Sequence, residues 1–241
     1  MFLLGYIMWH PTGRPAVHLR QSDLLGLPVA CLEIQGRAGF FLARKVRKAV
    51  GRMRLEGVRQ GCWMPDLPPL WHEGIVPVEV WSLRRALLPQ LIACAERQWG
   101  LDLMRGTVWV TAEETNASVW QAAEFLAQHC RYVRLDTGMG QAALESHMQR
   151  RYGLAPGGRG MLLQISFDGQ GGLRTICLDR QAERQQRVFY QPPAGWPETV
   201  PLQEQLLAAL WQAGRLSVEE ICVKSIGPML DRAAETLYNA T

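Results

Sequence analysis

Between Thr107 and Phe167 the chain switches repeatedly between two hydrophobic periods. Thr107–Ala112, Arg131–Asp136 and Met161–Phe167 are short apolar runs. Asn116–His129 and Gln141–Tyr152, lying between them, repeat at helical spacing, and Val119, Trp120, Ala123 and Phe125 to Ala127 form the inner side of the first. Parallel strands need crossover connections of this length, so strand–helix–strand–helix–strand predicts βαβ units. The fold class that follows is α/β: a Rossmann-like three-layer domain with a largely parallel sheet. Val108, Val110, Val133 and Leu135 should then be buried, with neighbours on both faces.

The flanking segments are less regular. Residues 1–60 read as a β-rich segment that either stands alone or adds strands to the main sheet. Met1–Trp9 and Pro28–Ile34 are its buried strands, and Val17–Arg20 is a weaker one. A helix follows from Phe40 to Leu55, with Leu42, Val46, Ala49, Val50 and Met53 inside. Pro65, Pro68, Pro69 and Pro77 mark 61–77 as a connector that packs down on Trp63 and Trp71. Residues 78–241 form the Rossmann-like domain. Its first helix, Ser82–Trp99, is interrupted at Pro89. Asp168–Gly172 reads as a hairpin loop leading to a strand at Leu173–Asp179. Leu202–Ala213 is a helix, Glu220–Lys224 a short strand, and Pro228–Asn239 a closing helix with Pro228 in its first turn.

Charge is placed unevenly. Residues 1–60 carry ten basic and three acidic side chains, net +7, and the rest carries sixteen and nineteen, net −3. Arg44, Lys45, Arg47, Lys48, Arg52 and Arg54 cover the outer sides of the 40–55 helix, which is the pattern of a solvated surface helix. That helix could meet phosphates or an acidic partner. Nucleic acid is not an expected partner, because no aromatic or base-reading residue is interleaved on the basic side. A protein partner or a homo-oligomer is the remaining partner expectation, with no surface assigned to it. No apolar run reaches the roughly 18–20 residues of a membrane span, and Met1–Trp9 reads as a strand, not a signal peptide. The six cysteines, at 31, 62, 94, 130, 177 and 222, contain no C-x-x-C pair. They are expected to be reduced thiols of a soluble cytoplasmic protein, with no metal site.

Few residues carry chemistry. There is no G-x-x-x-x-G-K-[ST], G-x-S-x-G or H-E-x-x-H, and the five histidines lack ligand spacing. His72-Glu73 reads as a surface loop pair. One segment stands out: Leu135-Asp136-Thr137-Gly138-Met139-Gly140-Gln141-Ala142-Ala143 follows a predicted strand and opens a predicted helix. Glycines there let backbone approach a ligand, and the helix amides behind them point at it. The same segment resembles the first motif of S-adenosylmethionine-dependent methyltransferases. The resemblance implies a cofactor pocket shaped by Asp136, Gly138 and Gly140, with Asp168 closing the next strand and holding ribose hydroxyls. Ala142 stands where that family usually has a third glycine, and Asp168 lies 28 residues after Gly140, beyond the usual spacing of about 20. A tight strand-to-helix turn explains the same glycines without a ligand.

Two functional expectations follow. The first is a non-catalytic α/β protein with no cofactor and a regulatory, structural or partner-binding role. The second is an S-adenosylmethionine-dependent methyltransferase, or another nucleotide-cofactor enzyme, built on the glycine loop.

Overall fold

The computed structural model describes residues 3–64, 66–154, 160–180 and 182–229. In chain order these form β1 (Leu4–His10), β2 (Ala16–Leu24), β3 (Leu27–Gln35), α1 (Phe40–Leu55), β4 (Gln60–Trp63), β5 (Val76–Pro77), α2 (Trp81–Ala86) and α3 (Leu88–Trp99). Then come β6 (Thr107–Thr111), α4 (Ala117–His129), β7 (Tyr132–Asp136), α5 (Gln141–Tyr152), β8 (Met161–Ser166) and β9 (Thr175–Cys177). The chain continues through α6 (Ala182–Gln185), β10 (Gln186–Gln191), α7 (Glu204–Gln212) and β11 (Cys222–Met229). The fold is mixed α/β with largely parallel sheets. No helix among the described residues is long and apolar enough to cross a membrane.

Two compact units result. Among the described residues, 3–79 join Pro192–Ile221, and Val80–Gln191 joins Cys222–Met229. The stretch expected as one domain, 78–241, is therefore divided between them.

The first unit holds a five-stranded sheet in the order β2-β3-β1-β4-β5. β2 and β3 form an antiparallel hairpin, and β1 pairs in parallel with both β3 and β4. The hairpin turns on Leu25 and Gly26, both at positive φ, the geometry that suits the twist of paired strands. β2 is longer than the Val17–Arg20 signal because β3 supplies its ladder partners over the whole length. Helix α1 matches its predicted bounds. Leu42, Val46, Val50 and Met53 are buried against Ile7, Leu32 and Ile34, while Arg44, Lys45, Arg47 and Lys48 are exposed. The 61–77 segment is more than a connector. Gln60–Trp63 and Val76–Pro77 are strands of this sheet, and between them Trp71 is buried edge-on to Trp9, 5.3 Å between ring centres.

The second unit holds a four-stranded sheet, β7-β6-β8-β9, parallel throughout. Val108, Val110, Val133 and Leu135 are buried as expected, together with Leu163, Ile165 and Ile176. These side chains share one face, and α4 and α5 pack against β6, β7 and each other. The opposite face carries Thr107, Trp109 and Thr111 in register with Tyr132, Arg134 and Asp136, and then Gln164, Ser166 and Thr175. Arg134 and Asp136 are exposed. This sheet has one apolar and one polar face. Burial on both faces, as expected, holds for the central strand β6, whereas β7 alternates as a half-buried edge strand.

Three further expectations change. Residues 173–179 do not form a hairpin with the preceding strand; β9 runs parallel to β8. The 82–99 helix starts at Trp81 and breaks at Leu87, and Pro89 sits in the first turn of α3, where its missing amide costs nothing. Pro228 lies in β11, paired antiparallel with β10, not in a helix. The rest of the predicted closing helix falls outside the described residues.

Arg84 on α2 is fully buried. Its Nη1 donates to the carbonyls of Cys177 (3.4 Å) and Ala182 (2.9 Å), and its Nη2 to that of Gln186 (2.7 Å). Arg84→Leu removes the donors and strands three buried acceptors. It should cost about 3 kcal/mol in urea unfolding, whereas Arg44→Glu on exposed α1 should stay within about 0.5 kcal/mol.

Candidate functional site

The glycine segment sits at the carboxyl end of β7, where open α/β sheets place ligands. Its immediate neighbour is the loop that follows β6. Ala112 N donates to Asp136 O (3.0 Å), and Thr115 N to Met139 O (2.9 Å). The hydroxyls of Thr115 and Thr137 lie 2.9 Å apart. Gln141 folds back so that its Oε1 accepts from Thr137 N (3.2 Å). The two loops are therefore zipped together.

The glycines serve this zipper. Gly138 has φ +55° and Gly140 has φ +90°, both in the left-handed region. A Cβ at Gly138 would overlap the carbonyl oxygen of Glu113, and one at Gly140 would stand 3.0 Å from Thr115 Cβ. The close approach that these glycines permit is made by Glu113–Thr115. Outside the zipper, Gly138, Met139, Gly140, Ala142 and Ala143 are exposed, as are the carboxylates of Glu113, Glu114 and Asp136. This rim disfavours phosphate by like charge.

Asp168 stands at the same, carboxyl, end of the sheet, over the ends of β6 and β8, and bonds to Thr111, the ladder partner of Asp136. Its Oδ1 accepts from Thr111 Oγ1 (3.1 Å), Ser166 Oγ (2.9 Å) and Gln170 N (3.1 Å). Beside it, Gln164 Nε2 donates to Thr111 Oγ1 (3.2 Å) and Gln170 O (3.1 Å). The structure thus places Asp136, Gly138 and Gly140 together on one loop, and Asp168 two strands along the same sheet end, where its hydrogen bonds join β6 to β8. The five cysteines other than Cys222 are buried, and none of the six forms a disulfide. Burial first, and then the Asp179 carboxylate, push the Cys177 thiol up to about 12, so it stays protonated. Among the described residues no group of three or more His, Cys, Asp or Glu side chains is placed to hold a metal.

A second surface belongs to the first unit. At the start of α1, Phe40 and Phe41 are 79% and 80% exposed and meet edge-on at 5.8 Å. The sequence reading put no aromatic beside the basic side of this helix, and the structure puts two there. The signal was present: with Leu42 facing inward, steps of about 100° per residue swing positions 41 and 40 away from the core.

No family model matches the chain, and no curated protein matches it. Among solved structures it is similar to the crystal structure of L-tryptophan dehydrogenase from Nostoc punctiforme, at 12% identity and a TM-score of 0.29. The match covers 68% of this chain and 56% of that one, so the chain spans little more than half that protein's length.

If packing on Glu113 is what Gly138 does, Gly138→Ala combines positive φ with overlap and should cost more than about 2 kcal/mol. Gly153, at φ +65° with nothing within 4 Å of its missing Cβ, isolates the backbone cost, so Gly153→Ala should lose only about 1 kcal/mol. Equal losses in chemical denaturation would contradict the loop-packing role.

Proposed function

We propose that the chain is a non-catalytic, cytoplasmic, regulatory or scaffolding protein that docks on an acidic protein surface through α1. The observation that carries this reading is the outer side of α1. It presents six cations and no anion, headed by two phenyl rings left in water. Burying a phenylalanine side chain is worth about 1.5–3 kcal/mol, so a partner that covers Phe40 and Phe41 gains affinity. The cations steer an acidic partner and set its register. Aromatic rings and arginines are also the residue types that dominate binding energy at interfaces. The second unit, with its Rossmann-like parallel sheet, then serves as scaffold.

The test is a photo-crosslinking residue at position 41 in the full chain, expressed in cells. One discrete protein adduct is expected, and Arg44→Glu with Lys48→Glu should abolish it while leaving the unfolding midpoint unchanged. An adduct with a second copy would make the partner the chain itself. Salt-sensitive binding to nucleic acid or to phosphatidylserine vesicles, lost in the same variant, would overturn a protein partner.

The alternative is a nucleotide-cofactor enzyme, such as an S-adenosylmethionine-dependent methyltransferase, using Asp136, Gly138, Gly140 and Asp168. The position of the loop at the carboxyl end of β7 supports it. The zipper onto Glu113–Thr115 and the three hydrogen bonds on Asp168 Oδ1 weigh against it. A ligand that binds only the native state raises its melting temperature. S-adenosylmethionine, NAD and ATP at millimolar concentration should leave it unchanged, and a rise with any of them favours the alternative.

A further inference from the structure

The second unit contains a cleft of about 260 Å³ that neither the glycine loop nor α1 touches. One wall is the α2–α3 junction, with Arg85, Leu88 and Pro89. The other is α4, with Ser118, Gln121, Ala122 and Phe125, and Phe167 and Leu178 close the end. Arg85 is fixed in this wall. Its Nε donates to Leu178 O (3.1 Å) and its Nη1 to Ser118 Oγ (3.2 Å). Its guanidinium lies over the Trp81 ring at 4.4 Å and the Phe167 ring at 5.1 Å.

Both of these hydrogen-bond partners are neutral, and a guanidinium has five N–H donors to place. Burial is the main cause lowering its pKa, and the positive charge of Arg180 adds to it; the Asp179 carboxylate acts the other way. A partly desolvated cation beside a second cation gains from an anion that arrives with its own charge. The plane of the fork is already oriented by Leu178 O and Ser118 Oγ, so little side-chain freedom remains to be lost on binding. The positive end of α4, whose first turn carries Ser118, acts in the same direction. Beyond the guanidinium the lining is mostly apolar, which suits a ligand with a hydrophobic body the size of one aromatic ring or a short branched chain.

We propose that this cleft binds a small organic monocarboxylate with an apolar body, its carboxylate on Arg85 and its body against Leu88, Ala122 and Phe125. A bare inorganic anion makes the first contact and forfeits the second. A neutral analogue makes the second and forfeits the first. The proposal stands apart from the docking reading, since every residue in it belongs to the second unit.

Phenylacetate is the probe, titrated into the full chain by calorimetry, with phenylacetamide, acetate and inorganic phosphate as comparisons. Phenylacetate should bind at least tenfold more tightly than each of the three. In the methyl NMR spectrum it should shift the Leu88, Ala122 and Leu178 resonances. Arg85→Gln should bring phenylacetate down to the level of phenylacetamide. Should that variant fail to fold, the acid–amide comparison and the methyl shifts on the unaltered chain still decide. Equal binding of acid and amide, or no binding by the acid at millimolar concentration, overturns the proposal. So does equal binding of acetate or phosphate, or a set of shifted methyls elsewhere in the chain.

Discussion

The polar face of the second sheet is what the surrounding structure must satisfy. Thr111, Gln164, Ser166 and Thr175 are buried there, and buried polar groups without partners cost roughly 1–3 kcal/mol each. Asp168 and the loop after it meet the demand. Asp168 Oδ1 takes the hydroxyls of Thr111 and Ser166, Gln170 O takes Gln164 Nε2, and Gly172 N donates to Thr175 Oγ1 (2.9 Å). The segment between β8 and β9 therefore bends back over its own sheet, which is why β9 emerges parallel to β8. Gln186 completes the edge. Its side-chain amide accepts from Cys177 N and donates to Thr175 O, standing in for a peptide of a further strand. Asp168 thus holds this turn through its Oδ1.

What the sequence revealed follows the range of the forces involved. Helices α1 and α5 are stated locally, by apolar spacing and, for α5, by Gly153 in the left-handed conformation at its end, and their bounds match. Asn116 caps α4 through Ser118 N and Val119 N, again a local signal. The strands β4 and β5 were illegible because prolines dominate the segment and their ladder partners lie on β1 and on each other. Prolines mark where a chain cannot be central in a sheet, and β5, with its Pro77, is an edge strand. The division of residues 78–241 rests on the same kind of distant contact. Trp63 N, for example, donates to Gln205 Oε1 across 142 positions.

The place of the glycine turn was legible, and the loop that packs on it was not. The glycine spacing correctly marked a tight turn between β7 and α5. Its cause was hidden because the group approaching Gly138 is a backbone oxygen of residue 113, from a loop whose sequence contains no glycine. Positive φ and close approach are all that such glycines report, and a neighbouring loop satisfies both as well as a pyrophosphate does. The surface at Phe40 and Phe41 was overlooked for the opposite reason. They lie outside the inner stripe of the helix, and only their angle from Leu42 shows that they face solvent.

Arg84 and Arg85 show how far placement decides chemistry. They are chemically identical neighbours on a six-residue helix, about 100° apart around its axis. That rotation aims one guanidinium at the carbonyls of Cys177, Ala182 and Gln186, where backbone oxygens absorb its donors. It carries the other to the α4 side, between two aromatic rings and beside a cleft. The first is saturated by the fold and ties α2 to β9 and β10. The second keeps a half-buried charge in the wall of a mostly apolar cleft, an arrangement that an arriving anion would stabilise. Helix α2 thereby couples the two roles. Arg84 anchors the helix from within, and the Arg85 fork is then oriented by its own bonds to Leu178 O and Ser118 Oγ.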